Sequence, residues 1–444
     1  MDPHVVDAIE CEIRLAGYRR IAIQSSDVES ATTLSTELSK RFSSDTDKRE
    51  LYVLGDVFIG SCCTDLIASR RCAAEYVLHI GSSCQSSLAP SIPVWRVFTK
   101  ALIDPSLLTT HVNRVLSERD YTRVVLIYDP SLHHHVDLFT HALRANPAEC
   151  YLALCRERVG SDTDSPDDET LFCGRTLLAI TKSNDNTAAP FRSLCSGDPA
   201  TLFLYIRVDS PSNNTTDYIA ISCSGSQFHV LAVTSEAVHH LSADALGDKI
   251  RQKRYRNVEK VLSASTIGIL VISRNLRCSS DLRSSLSKLI ESKGKRAYTL
   301  SVNCLTEAKL ANFPTIDVYC LLSCGEAILS LPDEISRRTV APFELLVAFD
   351  CIDWSCPYDF EFSRLLRYTS LSEEEVEPGR GGEIRKLQGN CELKSQVESF
   401  MSSLSDNSKR TFGGVDPAYG ISDKPKIIQG FHGTASAYEH ERRL

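Results

Sequence analysis

The chain of 444 residues carries a formal charge of −8, has a pI of about 5.9 and is 42% apolar. That length suits two to four domains with real cores, and the acidic balance gives no general attraction to nucleic acid. With no run of eighteen clean apolar residues, and no basic segment leading into an apolar stretch near residue 1, the expectation is a cytoplasmic protein that neither spans a membrane nor is secreted.

From Arg19, "RRIAIQ" predicts a short strand, and "VESATTLSTELSKRF" a helix after it. "ELYVLGD" is a second strand, ending at Gly55 and Asp56. After Thr64 a helix pattern leads to a strand ending at Leu78, His79 and Ile80, and "PVWRVF" is a further strand. The pattern restarts at "TRVVLIYDPS" (122–131), with "HVDLFTHALRA" as the following helix. The acidic run "SDTDSPDDET" at 161–170 and the run "SPSNNTTD" read as solvated loops. Between Ile250 and Leu262 helical spacing gathers Arg251, Lys253, Arg254, Arg256 and Lys260 into a basic face expected to lie in solvent. A third restart comes at "TIGILVISRN". "DLRSSLSKLIESKGK" is then an amphipathic helix with Gly294 near its end. "RAYTLSV", "TEAKLANF" and "DVYCLLSCGE" follow, the last holding a strand that ends around Cys324.

Strands alternating with helices of this size predict an α/β protein with mainly parallel sheets flanked by helices. Three successive units imply three similar domains, at 1–118, 119–262 and 263–368, followed by an irregular tail at 369–444. Open sheets of this kind build their sites just past the carboxyl ends of strands.

Seventeen cysteines stand out, and their odd number and spacing show no disulfide framework. Most are expected to fill the core. Three share one context, each closely following an apolar strand beside Gly or Ser: Cys63 or its neighbour Cys62 in "GSCCTD", Cys84 in "HIGSSC" and Cys324 in "LLSCGE". They lie too far apart in sequence for a local finger, but strand ends can meet across a crevice. Soft sulfur donors suit an iron–sulfur cluster, zinc or copper(I). His133, His134 and His135 read as a solvated turn or helix start, since neighbours in extended chain point to opposite faces. Asp56 and Asp129, each after a strand, are either ligand-binding or capping residues. None of the common phosphate, nucleophile-elbow or metalloprotease motifs occurs.

Several long stretches resemble the diphthamide biosynthesis family, on the side of its second, non-catalytic eukaryotic branch. They are "VLGDVFIGSCCTDLIASR", "HIGSSCQSSLAPSIPVWRVF", "RYRNVEKVLSASTIGIL", "GKRAYTLSVNCLTEAKLANFPTIDVYCLLSCGEAI" (294–328), "TVAPFELLVAF", "TFGGVDPAY" and "IQGFHGTASAYE". The resemblance implies three α/β domains around a [4Fe–4S] cluster. It also implies a complex that cleaves S-adenosylmethionine and transfers a 3-amino-3-carboxypropyl group to a histidine of elongation factor 2. The implied partners are diphthamide biosynthesis protein 1 in a heterodimer, a small iron electron-donor protein and its reductase. The implied role is an accessory subunit that supports reduction of the catalytic subunit's cluster. The rival readings are a self-sufficient homodimeric transferase and a cluster-free scaffold. Carried over by position, the ligands are Cys63, Cys84 and Cys324, with Cys62 as the alternative to Cys63. Backbone N–H groups beside Gly60, Gly81 and Gly325 would donate to the sulfurs. Two departures stand out. The middle-domain cysteine that follows a Leu-Gly pair in catalytic relatives is missing, with Cys173 in "LFCGR" the nearest substitute, and "VISRN" (271–275) replaces a loop with a Gly-Thr pair.

Overall fold

The computed structural model describes residues 3–371 apart from 26, 44–47, 56–61, 82, 90–91, 120, 161–167, 181–190, 209–213, 274 and 303–304. Asp56, Gly60, most of the acidic run 161–170, part of the 210–217 run, Arg274 and the tail beyond 371 therefore lie outside the described residues.

Among the described residues the strands form three sheets. The first contains β1 (Arg20–Ser25), β2 (Glu50–Val53), β3 (Tyr76–Ile80), β4 (Val94–Val97) and β7 (Arg158–Val159), ordered β2-β1-β3-β4-β7. All its pairings are parallel except the last, where β7 arrives from beyond residue 150 to cap the edge. The second sheet comprises β5 (Arg123–Tyr128), β6 (Glu149–Leu154), β8 (Leu171–Phe172), β9 (Arg175–Ile180), β10 (Thr201–Val208), β11 (Gln227–Val233) and β12 (Val238–Ser242). Its order is β12-β11-β10-β5-β6-β9-β8, a parallel centre with antiparallel edges. The third sheet, β14-β13-β15-β16, is parallel throughout, built from β13 (Thr266–Val271), β14 (Arg296–Ser301), β15 (Val318–Leu322) and β16 (Thr339–Val340).

Central strands carry continuous apolar runs because helices cover both faces of a parallel sheet. Every residue of β3, β13 and β15 is buried, whereas edge strand β14 alternates toward solvent. One core cluster runs through all three sheets, holding Val77 of β3, Phe203 of β10 and Ile269 of β13 together. Two satellite clusters lie beneath the helices Pro105–Ser117 and Val28–Phe42.

The expected solvent-facing basic helix is corrected here. Within the helix Asp244–Ser263, Arg254 turns inward and is 9% exposed, next to Asn257, Val258 and Val261. Its Nε sits 2.6 Å from the fully buried Glu344 carboxylate and donates to Tyr358 Oη at 3.1 Å. Arg251 donates to the carbonyls of Trp354 and Cys356, while Lys253 and Arg256 do face solvent. Breaking a buried pair such as Arg254–Glu344 from one side costs about 3–5 kcal/mol, so Arg254 belongs to the core although its basic neighbours Lys253 and Arg256 do not. His133, His134 and His135 lie in a 3-10 turn, Pro130–His135, capped by Asp129, whose carboxylate accepts the Ser131 N–H at 3.0 Å. Asp129 is thus a capping residue.

Candidate metal centre

Four sulfurs meet where the carboxyl ends of the first and third sheets converge. Cys63 and Cys84 are buried at 4% and 2% exposure, Cys324 at 2%, and Cys62 is half-buried. The Sγ separations are 3.6 Å for Cys63–Cys84, 3.9 Å for Cys62–Cys63 and 3.9 Å for Cys62–Cys324. All four sulfurs lie within 4.8 Å of one another. The strand-end cysteines Cys63, Cys84 and Cys324 are therefore together, and Cys62, expected as the alternative to Cys63, joins them.

Each thiol has its own local reason for standing there. The chain turns sharply between Cys62 and the helix Leu66–Arg71, whose first turn is capped by Asp65 accepting from Ile67 and Ala68 N–H groups. In such a turn neighbouring side chains need not point to opposite faces, as they would in a strand. Gln24 at the end of β1 is fully buried. Its amide donates to Cys63 O at 2.8 Å and accepts from Asp65 N–H at 2.7 Å. Cys84 follows β3 past Gly81, which has φ of 100°, and its N–H donates to Cys62 O at 3.2 Å. Cys324 caps the helix Gly325–Leu329, its Sγ accepting Ala327 N–H at 3.4 Å. The expected donor beside Gly325 is thus displaced two residues along, to Ala327.

Loop-to-loop bonds hold the two sheets in register at this point. Asn275 donates from Nδ2 to Thr64 O at 3.4 Å, and its own carbonyl accepts Ala89 N–H at 2.8 Å. Arg277 N–H donates to Ser87 O at 2.9 Å, and Leu88 pairs with Leu276 in an isolated bridge. The segment beginning "VISRN" therefore serves partly as the clasp between sheets.

The walls come from helices and loops of the second sheet together with β4 of the first. Tyr218 packs so closely against Gly325 that a Cβ there would lie 2.6 Å from its ring. Thr215 Oγ1 donates to Glu326 at 2.9 Å. Arg96 of β4, 2% exposed, donates to Ser86 O at 2.9 Å, two residues past Cys84. Arg156 reaches the same loop, its N–H donating to Gln85 Oε1 at 2.9 Å and its Nε to Gly174 O at 3.2 Å. Burial pushes the Arg156 guanidinium down to about 10. Cys173 is buried, but its sulfur is not among the four; burial pushes its thiol up to about 12.

The cluster shares protons unevenly. S–H donation from Cys324, then from Cys62 and Cys63, holds Cys84 well below the usual thiol range. The bond to Cys324, then those to Cys63 and Cys84, push Cys62 well above it. One thiolate forms readily and further ones are opposed. A central cation reverses that opposition, because metal ions bind thiolates and displace their protons. The donor set is soft sulfur, so the pocket suits zinc or iron–sulfur ligation rather than calcium or magnesium. Sequence reasoning missed Gln24, Arg96, Arg156 and Tyr218. A lone glutamine closing "RRIAIQ" and an arginine inside "PVWRVF" were the visible signals.

A sequence model of the family described as "Putative diphthamide synthesis protein" matches residues 28–359. The chain belongs to this family. Its relatives include 2-(3-amino-3-carboxypropyl)histidine synthase subunit 2 of Danio rerio, 25% identical over 96% of this chain and 89% of that protein. The protein of the same name from Gallus gallus is 26% identical over 99% and 92%. Among solved structures, the fold is similar to Dph2 from Pyrococcus horikoshii, with a TM-score of 0.55 at 15% identity, covering 80% of this chain and 92% of that one. It is likewise similar to Dph2 from Pyrococcus horikoshii with 4Fe-4S cluster, with a TM-score of 0.54 at 16% identity and the same coverage. Among the described residues of this diphthamide synthesis family member, no helix is long and apolar enough to cross a membrane.

Proposed function

We propose that this chain is the iron–sulfur accessory subunit of the 3-amino-3-carboxypropyltransferase that begins diphthamide synthesis on a histidine of elongation factor 2. The reading has Cys63, Cys84 and Cys324 ligating a [4Fe–4S] cluster, with Cys62 at the margin of the pocket. The single observation that carries it is the convergence of these sulfurs from two sheets while Cys173, the nearest candidate in the second sheet, stays in the core. Family membership, relatives named as subunit 2, and the cluster in the Pyrococcus horikoshii protein support it.

When bound, the cluster supplies one-electron reducing chemistry at low potential. The chain's residues do the rest. Burial of three sulfurs excludes water, with Ile272 and Ala327 packed against them. The Ala327 N–H directed at Cys324 Sγ stabilises negative charge on that sulfur. Arg96, buried in β4, holds the loop just after Cys84 by donating to Ser86 O. S-adenosylmethionine is used by the complex, whose other members are diphthamide biosynthesis protein 1, a small iron electron donor and its reductase. The compartment is the cytoplasm, and the three sheets centre three domains bounded near 118 and 262, with β7 crossing from the second span to the edge of the first sheet.

A second reading is favoured by one measurement. Sulfurs around a single tetrahedral zinc, at bonds of 2.3 Å, stand about 3.8 Å apart, close to the 3.6–3.9 Å seen here. A four-iron cluster spaces its thiolates wider, so taking one up requires these sulfurs to part. Iron, acid-labile sulfide and zinc assayed on anaerobically purified protein, with Cys324→Ser alongside, test the two. About four iron and four sulfide per chain, lowered in the variant, is the expected result. Zinc without sulfide in anaerobically reconstituted protein would overturn the cluster.

A further inference from the structure

A second group of metal-ligating side chains lies at the amino-terminal end of β11, made of residues that the sulfur pocket does not use. Strands β11 and β12 pair antiparallel with His229 opposite Ser242 and Leu231 opposite His240. His229 and His240 are thus diagonal neighbours on one face, close enough for their side chains to meet. That face lies beneath the helix Pro105–Ser117, since Val238 of β12 shares a buried cluster with Leu108, Val112 and Val115 of that helix. The residue just past the helix, Glu118, brings its carboxylate to the same place, with Oε1 3.9 Å from His240 Nδ1.

We propose that Glu118, His229 and His240 form a site for a divalent ion of the zinc class. One donor atom from each residue lies within 4.8 Å of the others. His240 Nε2 and His229 Nδ1 are 3.2 Å apart. Two imidazole nitrogens bound to one tetrahedral zinc at 2.0–2.1 Å stand about 3.3–3.4 Å apart, so the rings are already spaced for a shared ion. Two imidazoles sharing a proton would also give that distance. Such a bond would leave Glu118 Oε1, 3.9 Å from the other nitrogen of the same ring, His240 Nδ1, as an ion-pair partner, an arrangement that takes up no metal. Glu118 Oε1 also lies 4.0 Å from Arg114 Nε, a contact about as long as the one to His240.

The second layer also fits. The other ring nitrogen of His229, Nε2, lies 3.8 Å from Asp244 Oδ1. Asp244 is itself held by the Phe228 N–H at 2.8 Å and Ser242 Oγ at 2.7 Å. A carboxylate behind a ligating histidine fixes its tautomer and raises its basicity. His229 is buried, His240 half-buried and Glu118 exposed, which leaves a fourth position open to water. Imidazole and carboxylate together suit zinc and its first-row neighbours. Occupied, the site would staple the helix Pro105–Ser117 to the β11–β12 hairpin.

Cobalt(II) separates this site from the sulfur pocket, because cobalt bound to thiolate shows intense sulfur-to-metal charge transfer and cobalt bound to nitrogen and oxygen does not. The full-length protein, stripped of adventitious metal, is titrated with Co²⁺ and then with Zn²⁺ in competition. The expected result is one equivalent with nitrogen and oxygen ligands only, displaced by zinc. His240→Gln should abolish it, and Asp244→Asn should weaken it about 10–100-fold. Should His240→Gln fold poorly, Glu118→Gln, altered at an exposed position, carries the same test with at least a tenfold loss. Wild-type protein with no sulfur-free equivalent would overturn the site, as would unchanged affinity in Glu118→Gln.

Discussion

The side-chain amide of Gln24 donates to the carbonyl oxygen of Cys63 at 2.8 Å, from a fully buried position at the end of β1. The same amide accepts the Asp65 N–H at 2.7 Å, so one residue holds both sides of the turn that presents Cys63. Gln24→Leu keeps the volume but strands two buried backbone groups, at about 1–3 kcal/mol each. Urea unfolding should show that loss, and bound iron per chain should fall even though no sulfur is removed. Iron retained at the wild-type level would mean that the turn is positioned by other contacts.

Cys62 and Cys63 are separable by exposure. Cys63 is buried and touches Cys84 at 3.6 Å, whereas Cys62 is half-buried and 3.9 Å from both Cys63 and Cys324. Made separately, Cys63→Ala is expected to reduce iron and sulfide more than Cys62→Ala. Equal losses would make both residues ligands, and a larger loss in Cys62→Ala would exchange their roles.

Gly174 stands in the turn between β8 and β9 with φ of 75°, and a Cβ there would be driven into the backbone carbonyl of Gln85. The positive φ alone costs a non-glycine residue roughly 1–2 kcal/mol. Gln85 follows Cys84 directly and itself has φ of 58°, so it has little freedom to yield. Gly174→Ala should therefore lower both the unfolding midpoint and the iron content, although it lies in a different sheet from every sulfur.

Burial holds the His133 imidazole below its ordinary value of 6.5, with the neighbouring Glu157 carboxylate opposing the shift. Its Nδ1 is 2.9 Å from Tyr128 Oη. A histidine whose folded pKa is depressed binds fewer protons folded than unfolded between that value and 6.5. Stability therefore falls as pH drops below about 6.5 through this window. His133→Gln should flatten that part of the pH–stability curve, measured by urea midpoints from pH 7.5 to 5. An unaltered slope would assign the acid sensitivity to other groups.

Strand ends were the readable part of the site. Apolar runs followed at once by Gly or Ser and a cysteine located Cys63, Cys84 and Cys324, because parallel sheets place ligand residues there. That both Cys62 and Cys63 point inward was not readable, since alternation holds in strands and fails in the turn they occupy. The burial of Arg254 was hidden for a different reason. Its charge reads as solvent-facing until Glu344, ninety residues later, is known to lie opposite it. The capping of the first sheet by β7 rests on two residues, too short a run to show any periodicity. Long-range pairing thus decided what local pattern left open, while the α/β class followed from local pattern alone.

The most direct test is electron paramagnetic resonance of dithionite-reduced protein, purified anaerobically alone and with its expected partner, with partner-only protein as control. The account predicts a reduced [4Fe–4S] signal belonging to this chain, diminished in Cys324→Ser. Well-folded, anaerobically reconstituted protein with no such signal would contradict it and leave the four sulfurs to a mononuclear ion or to packing.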